Sequence, residues 1–326
     1  MTDKSANGLA VRTAPQGGVA ALPRRLVGRS RRVQFRWLDL VILVAVGLGL
    51  AVVIYRINTS LHYRWDWSVV PDYFLHYDTA TRTWRSNILL QGLLTTIRIV
   101  LWSAVFAFII GLAVGLCRVS SNLFLRLVAR AYVDFIRGIP PLVIIFVFYF
   151  FISSQIMPLL GVETFFRQAS PATLRITEIV LGPPQQVSAF LSAMLCLAIF
   201  EGAYVAEIVR AGIQSVEKGQ WEAARSLGLT QPSTMRYVAL PQAFQRMMPP
   251  LAGQFISLIK DSSIASLISV QELAFMAAQV SSSTSRIFEV WISVAGIYFV
   301  LCFTLAWLFG KIESQMRPHG GDTRPH

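Results

Sequence analysis

Residues 219–244 read GQWEAARSLGLTQPSTMRYVALPQAF, a polar stretch rich in helix formers and punctuated by glycine and proline. Its local signals spell two short helices. Ser215–Leu227 is predicted to form the first, closed at Gly228, a residue free to take the left-handed conformation that ends a helix. Thr230 is placed to cap the second, with Pro232 in its first turn, where a missing N–H costs nothing. Pro241 and the Pro249–Pro250 pair are expected to stop that second helix. The expected product is a helical hairpin facing water.

The rest of the chain is of another kind. Over 326 residues, 54% are hydrophobic and 14% charged, with a mean hydropathy of +0.55, too apolar for an ordinary soluble protein. Six runs approach the ~20 residues that cross a hydrocarbon core: Leu38–Tyr55, then roughly Ile88–Leu116, Leu142–Leu160, Val187–Ala206, Pro250–Val270 and Phe288–Phe309. The fold class is therefore all-α and polytopic, with six predicted transmembrane helices. A formal charge of +12 does not mark a nucleic-acid binder, because many of the basic residues flank the apolar runs. With the N-terminus inside, alternation puts 57–87, 157–186 and 271–287 outside and 117–141, 207–249 and 311–326 inside. The inner segments hold Arg118, Arg126, Arg130 and Arg137, then Arg210, Lys218, Arg225, Arg236 and Arg246, then Lys311, Arg317 and Arg324. The outer segment 57–87 instead balances Arg64, Arg82 and Arg85 against Asp66, Asp72 and Asp78. This sidedness makes both termini, and the hairpin, cytosolic.

Residues 1–36, rich in Gly, Ala and Arg, read as a disordered basic tail on the cytosolic side. SRRVQF (30–35) faintly resembles a twin-arginine export signal, but the run after it is longer than a typical signal h-region and lacks a small-residue cleavage site. It is read as a retained helix. Cys117, Cys196 and Cys302 stand singly in apolar segments, so neither a disulfide nor a metal site is expected. His62 and His76 in the outer loop give no basis for catalysis or metal ligation.

Glu222-Ala223-Ala224, three residues, Gly228, nine residues, Val238, one residue, Leu240-Pro241 resembles the EAA loop of ABC importer membrane subunits, with Val238 standing for the usual isoleucine. The likeness extends to YVDFIRGIPPLV (132–143), GAYVAEIVRAGIQSVEKGQWEAARSLGL (202–229) and LIKDSSIASLISVQEL (258–273), all similar to permeases of the polar amino acid uptake branch, histidine and glutamine permeases among them. The resemblance implies a five-helix type I importer core over 88–311, with the EAA loop at 215–241, preceded by an extra helix and external loop at 37–87 and followed by a cytosolic tail at 312–326. It also implies separate ABC ATPase subunits docking on the loop, a second permease subunit, identical or homologous, and an extracytoplasmic substrate-binding protein. The site would be the cytoplasmic (inner) membrane of a bacterium, with an amino acid as cargo. Glu222, Ala223, Ala224, Gly228, Leu240 and Pro241 would form the ATPase-coupling element. Two small alanines permit close approach, Glu222 offers a charge, and Gly228 fixes the bend. No GxxxxGK[ST] occurs, so ATP hydrolysis is expected on another chain and no cofactor on this one. The competing reading is a non-transporting membrane scaffold or sensor that holds a cytosolic partner.

Ionisable groups within apolar helices require partners or water. Arg98, Glu201 and the adjacent Lys260-Asp261 are the candidates for a substrate path. Glu201 either meets the ammonium of an amino acid or is held by a neighbouring helix or by Arg98. Lys260-Asp261, followed by Ser262 and Ser263, suits a path wall or a subunit interface. Glu207 and Arg210, three apart near a helix end, are expected to form a structural ion pair. The outer loop's aromatics, among them Trp65, Trp67, Tyr77 and Trp84, fit a membrane-interface belt or a docking surface for a binding protein.

Overall fold

The computed structural model describes residues 37–60, 63–78 and 82–316. The basic tail over 1–36, SRRVQF, His62 and the last ten residues lie outside the described residues. The chain divides into two units, the first ending at Arg64. In that first unit the leading apolar run forms α1 (Trp37–Ser60), a helix of 24 residues.

The second unit opens outside the predicted core. Helix α2 (Val69–Phe74) leads into an antiparallel hairpin, β1 (Leu75–Asp78) with β2 (Thr83–Ser86), in which Leu75 faces Ser86 and Asp78 faces Thr83. This small sheet departs from the all-α expectation. The loop before α2 is pinned by Asp66, whose N–H donates to the buried Glu289 at 2.7 Å. The Ser68 hydroxyl, donating to the Asp66 carboxylate at 2.5 Å, holds that carboxyl below its usual range.

The helical core follows as α3 (Ile88–Arg118), α4 (Leu123–Gly138) and α5 (Pro141–Phe151). A π-helical turn at Ile152–Ile156 continues α5 into α6 (Met157–Leu159), before α7 (Val162–Arg167) and α8 (Pro171–Val180). Then come α9 (Val187–Gln214), α10 (Lys218–Ser226), α11 (Gln231–Thr234), a π-helical turn at Met235–Ala239, and α12 (Leu240–Asp261). A 3-10 turn at Ser262–Ile268 links α12 to α13 (Leu273–Thr284), and α14 (Ile287–Met316) ends the described chain. Side chains cap several starts: the Asn122 carboxamide accepts from Phe124 N at 2.9 Å ahead of α4, and the Ser170 hydroxyl from Thr173 N at 3.3 Å ahead of α8.

Among the described residues, four stretches are long and apolar enough to span a bilayer: Ile88–Arg118, Pro141–Leu159, Pro184–Gln214 and Ile287–Gln315. A fifth results if Gln231–Ile268 and Leu273–Thr284, bent by 52°, count as one. The apolar part of α1, Leu40–Val53, is shorter than these, about 21 Å long against the ~30 Å of a hydrocarbon core. A polytopic helical membrane fold is therefore present, with four or five candidate spans among the described residues; six are not confirmed by this measure.

Three boundaries are corrected. Pro249 and Pro250 lie inside α12 and do not stop it, because the buried Met247 and Leu251 on either side hold the helix against its neighbours. Pro241 sits in the first turn of α12, directly after the π-helical turn whose extra residue adapts the ladder to a ring that cannot donate. Residues 215–217 form the turn between α9, which ends at Gln214, and α10, which begins at Lys218, so the hairpin's first helix starts later than Ser215; the Ser215 hydroxyl donates to Gly212 O at 2.7 Å. Within residues 271–287, α13 packs its buried Leu273, Ala277 and Val280 against α3 and α14.

Helix α9 is the axle, the most enclosed of the spans, while α14 leaves most of its surface free. It runs parallel to α3 in a register set by Ser103, whose hydroxyl donates to Met194 O at 3.1 Å, and by Gly111 and Gly115, which face Val205 and Val209. The two glycines, four apart, bring the backbones together as small-xxx-small pairs do in bilayers. A Cβ on Gly115 would stand 2.6 Å from Val209 Cβ. Gly115→Leu should therefore prise α3 from α9, costing about 1–3 kcal/mol or more, and lower the yield of monodisperse protein in fluorescence-detected gel filtration. An unchanged yield would remove this seam from the account of stability.

Candidate functional site

The hairpin predicted from local signals is present. Thr230 caps α11, its hydroxyl accepting from Ser233 N at 3.4 Å, with Pro232 in the first turn. Between the arms, Gly228 takes φ +78. Its N–H donates to Arg225 O at 2.9 Å, and Leu229 N donates to Ala224 O at 3.1 Å, the paired bonds of a Schellman turn. Gln242 Nε2 donates to Gln220 Oε1 at 3.2 Å across the hairpin, and Arg246 donates to Ser215 O, fastening it to the end of α9.

The residues expected to couple divide between two faces. Glu222, Ala223 and Gly228 are exposed, as is Leu227 at 81%. Ala224 is buried at 3%, and Leu240 packs half-buried with Trp221 against the cluster of Val205, Val209 and Met247. Pro241 is exposed on α12. A Cβ on Gly228 would meet nothing within 4 Å, so its left-handed backbone, not crowding in this chain, is what asks for glycine.

Behind the hairpin, Glu207 gathers three arginines. It pairs with Arg118 from α3 and with Arg210 on its own helix, whose Nε lies 3.2 Å away, and Arg137 from α4 stands at 3.9 Å. Arg137 also lies over the Tyr204 ring, 5.4 Å from its centroid. The expected pair with Arg210 is thus part of a larger clamp joining α3, α4 and α9.

Glu201, 1% exposed, accepts from Gln254 Nε2 of α12 through Oε2. Its Oε1 has no hydrogen-bond donor among the described residues, and Asp261 is the acidic group that acts on it. Lys260 is exposed beside Asp261 and does not reach this pair through any ion pair among the described residues. Arg98 is elsewhere. In the parallel register of α3 and α9 it lies about eleven residues from the level of Glu201, roughly 16 Å along the axis, so the two do not pair. Its Nε donates to Ile179 O at 3.0 Å, and it lines a cavity of about 230 Å³ with Glu178, Gln186 and Gln271. Gln186 donates to Gln271 there at 2.6 Å.

Two buried carboxylates escaped the sequence reading. Glu272 caps α13 by accepting from Phe275 N at 2.8 Å, and takes further hydrogen bonds from Tyr298 Oη at 2.8 Å and Thr96 Oγ1 at 3.3 Å. Glu289, near the start of α14, takes the Asp66 amide. A glutamate immediately before the apolar run of α13 was the available signal for the first. No group of three or more His, Cys, Asp or Glu able to hold a metal occurs among the described residues.

A family model described as binding-protein-dependent transport system inner membrane component matches residues 87–318. The chain is 38% identical over 231 residues to the L-cystine transport system permease protein TcyB of Bacillus subtilis (strain 168), covering 70% of this chain and 86% of that protein. It is 38% identical over 210 residues to the probable glutamine ABC transporter permease protein GlnM of the same strain, covering 64% and 84%. It is 29% identical over 256 residues to the glutamate/aspartate import permease protein GltJ of Escherichia coli (strain K12), covering 78% and 96%. Among solved structures, an amino acid ABC transporter crystallised with histidines matches with a TM-score of 0.56 at 35% identity, covering 70% of this chain and 94% of that one. An inward-facing MetNI methionine ABC transporter matches in fold, with a TM-score of 0.53 at 19% identity, covering 70% and 95%.

Proposed function

The chain belongs to the inner membrane component family of binding-protein-dependent transport systems, and from that premise we propose that it is the membrane-spanning permease subunit of an ATP-driven ABC importer for polar amino acids. The chain is a transporter subunit and not an enzyme; in such systems the ATPase is a separate subunit. The scaffold alternative is not favoured, since the relatives are permeases.

The observation that carries the proposal furthest is the hairpin: Glu222 and Ala223 stand outward on an exposed helix, with a tight turn at one end and a membrane helix continuing from the other arm. We assign α10 as the element received by the ATPase, Ala223 giving close approach, Ala224 holding the helix to its own scaffold, and Gly228 setting the angle between the arms. Alternating access follows when ATP draws two ATPases together and the hairpins shift the helices behind them. Glu201, with Asp261 and Gln254 near it, forms an acidic spot among the helices, suited to the ammonium of an amino acid. A second permease, identical or homologous, and an external binding protein complete the assembly. Purifying the chain with its ATPase and binding protein, and measuring which amino acid stimulates ATP hydrolysis, tests this directly; stimulation by none would overturn it.

Two further outcomes are expected. Glu201→Gln keeps shape and removes charge, so it should lower uptake or shift preference roughly ten-fold, the scale of one charged hydrogen bond, with ATPase assembly intact. Unchanged uptake of every amino acid tested would leave Glu201 a helix-bridging residue only. We also place α1 across the membrane as a sixth span, with both termini cytosolic. Reporters fused after His326 and within 60–85 should then read opposite sides, and the same side for both would rule this topology out.

A further inference from the structure

Beside the coupling hairpin lies a cavity of about 400 Å³ whose charged lining is wholly basic: Arg118 at the end of α3, Arg126 on α4 and Lys218 at the start of α10, with Ser120, Gln214 and Trp221 between them. Arg118 already shares Glu207 with Arg137 and Arg210, so three guanidinium groups face one carboxylate and an excess of two positive charges remains behind the cavity wall. Arg126 donates to Ser120 O at 3.3 Å, and among the described residues neither it nor Lys218 has a carboxylate within ion-pair distance. Polar and aromatic groups complete the wall, with Trp221 half-buried in it.

The cavity's neighbour is as informative as its lining. Helix α4 begins next to it and leaves Leu123, Phe124 and Leu127 exposed at 58%, 71% and 53%, large apolar side chains flanking Arg126. A basic recess bordered by an exposed apolar helix face matches a molecule with an anionic head and hydrocarbon tails. A soluble phosphate would use the cations and leave the apolar face without a partner.

We infer that this cavity binds the phosphate of an anionic phospholipid of the inner leaflet, with Arg126 and Lys218 on the headgroup and the acyl chains along Leu123, Phe124 and Leu127. The site borders α10 directly through Lys218, so a bound headgroup would brace the base of the hairpin. The inference rests on the cytosolic placement of the hairpin proposed above, but its test reads lipid binding and not transport.

The experiment is native mass spectrometry of the full chain in a non-ionic detergent, titrated with phosphatidylglycerol and, in parallel, with phosphatidylcholine of the same chains. Wild type should retain phosphatidylglycerol preferentially. Arg126→Gln and Lys218→Gln should each weaken that retention roughly five-fold, as expected for one basic residue at an anionic surface, while Arg126→Lys should retain it. Glycerol phosphate without tails should compete poorly. Equal retention of the two lipids, no loss in the glutamine variants when they elute as wild type does, or full competition by glycerol phosphate would each overturn the assignment, the last transferring the cavity to a soluble phosphate.

Discussion

Replacing Gly228 by aspartate is expected to leave the chain inserted and abundant while reducing uptake by more than ten-fold. The residue holds φ +78, a conformation that strains any side-chain-bearing residue by on the order of 1–3 kcal/mol. The Schellman bonds from Gly228 N and Leu229 N fix where α10 points, so relief of that strain means turning the helix. Space around the missing Cβ is open within this chain, so the bundle does not feel the change. A carboxylate carried into the proposed ATPase contact is a further cost of about 1–3 kcal/mol if left without a partner. The variant should lose the ATPase on purification, or hydrolyse ATP without transport. Full uptake with normal ATPase retention, in Gly228→Asp or in Glu222→Lys, would remove the coupling role from this hairpin.

Glu272→Ala should act on the membrane core instead. Its carboxylate accepts from Tyr298 Oη and Phe275 N in a buried setting, and its loss leaves both donors unanswered, about 2–6 kcal/mol in sum. Thr96 is less exposed to the loss, since its hydroxyl also lies 3.1 Å from Gly92 O and 3.0 Å from Leu273 N. The variant should aggregate at markedly lower temperature in a heat challenge followed by gel filtration. Glu272→Gln keeps an acceptor and should recover much of the difference. A Glu272→Ala chain as heat-resistant as wild type would make this network dispensable.

What was legible in the sequence was mostly local. Gly228 closing a helix, Thr230 capping the next and Pro232 in its first turn each depend on a few neighbouring residues, and each is found as read. The Glu207–Arg210 pair is of the same kind, set by helical spacing. What failed depended on contacts distant in sequence. A proline pair ends a helix in water, but Met247 and Leu251 are packed against the bundle on either side of Pro249 and Pro250, and the helix continues. Arg98 and Glu201 differ in height because Ser103 and Met194 set the offset of α3 and α9, a register no single helix reveals. Glu272 is buried because Tyr298 and Thr96 arrive from other helices, and nothing in its own flanks foretells them.

The continuity of the second hairpin arm with α12 has a mechanical meaning. From Gln231 through the π-helical turn to Asp261 the chain never leaves a helical path, a rod of roughly 45 Å at about 1.5 Å per residue. The prolines within it allow bending but insert no hinge loop. A push delivered at the water-facing end is therefore felt at Gln254 with little lost motion, because there is no slack segment to absorb it. Stiffness of this kind sets the stroke: a tilt of a few degrees at one end displaces the other by a few ångströms, enough to break a single hydrogen bond such as that between Gln254 and Glu201.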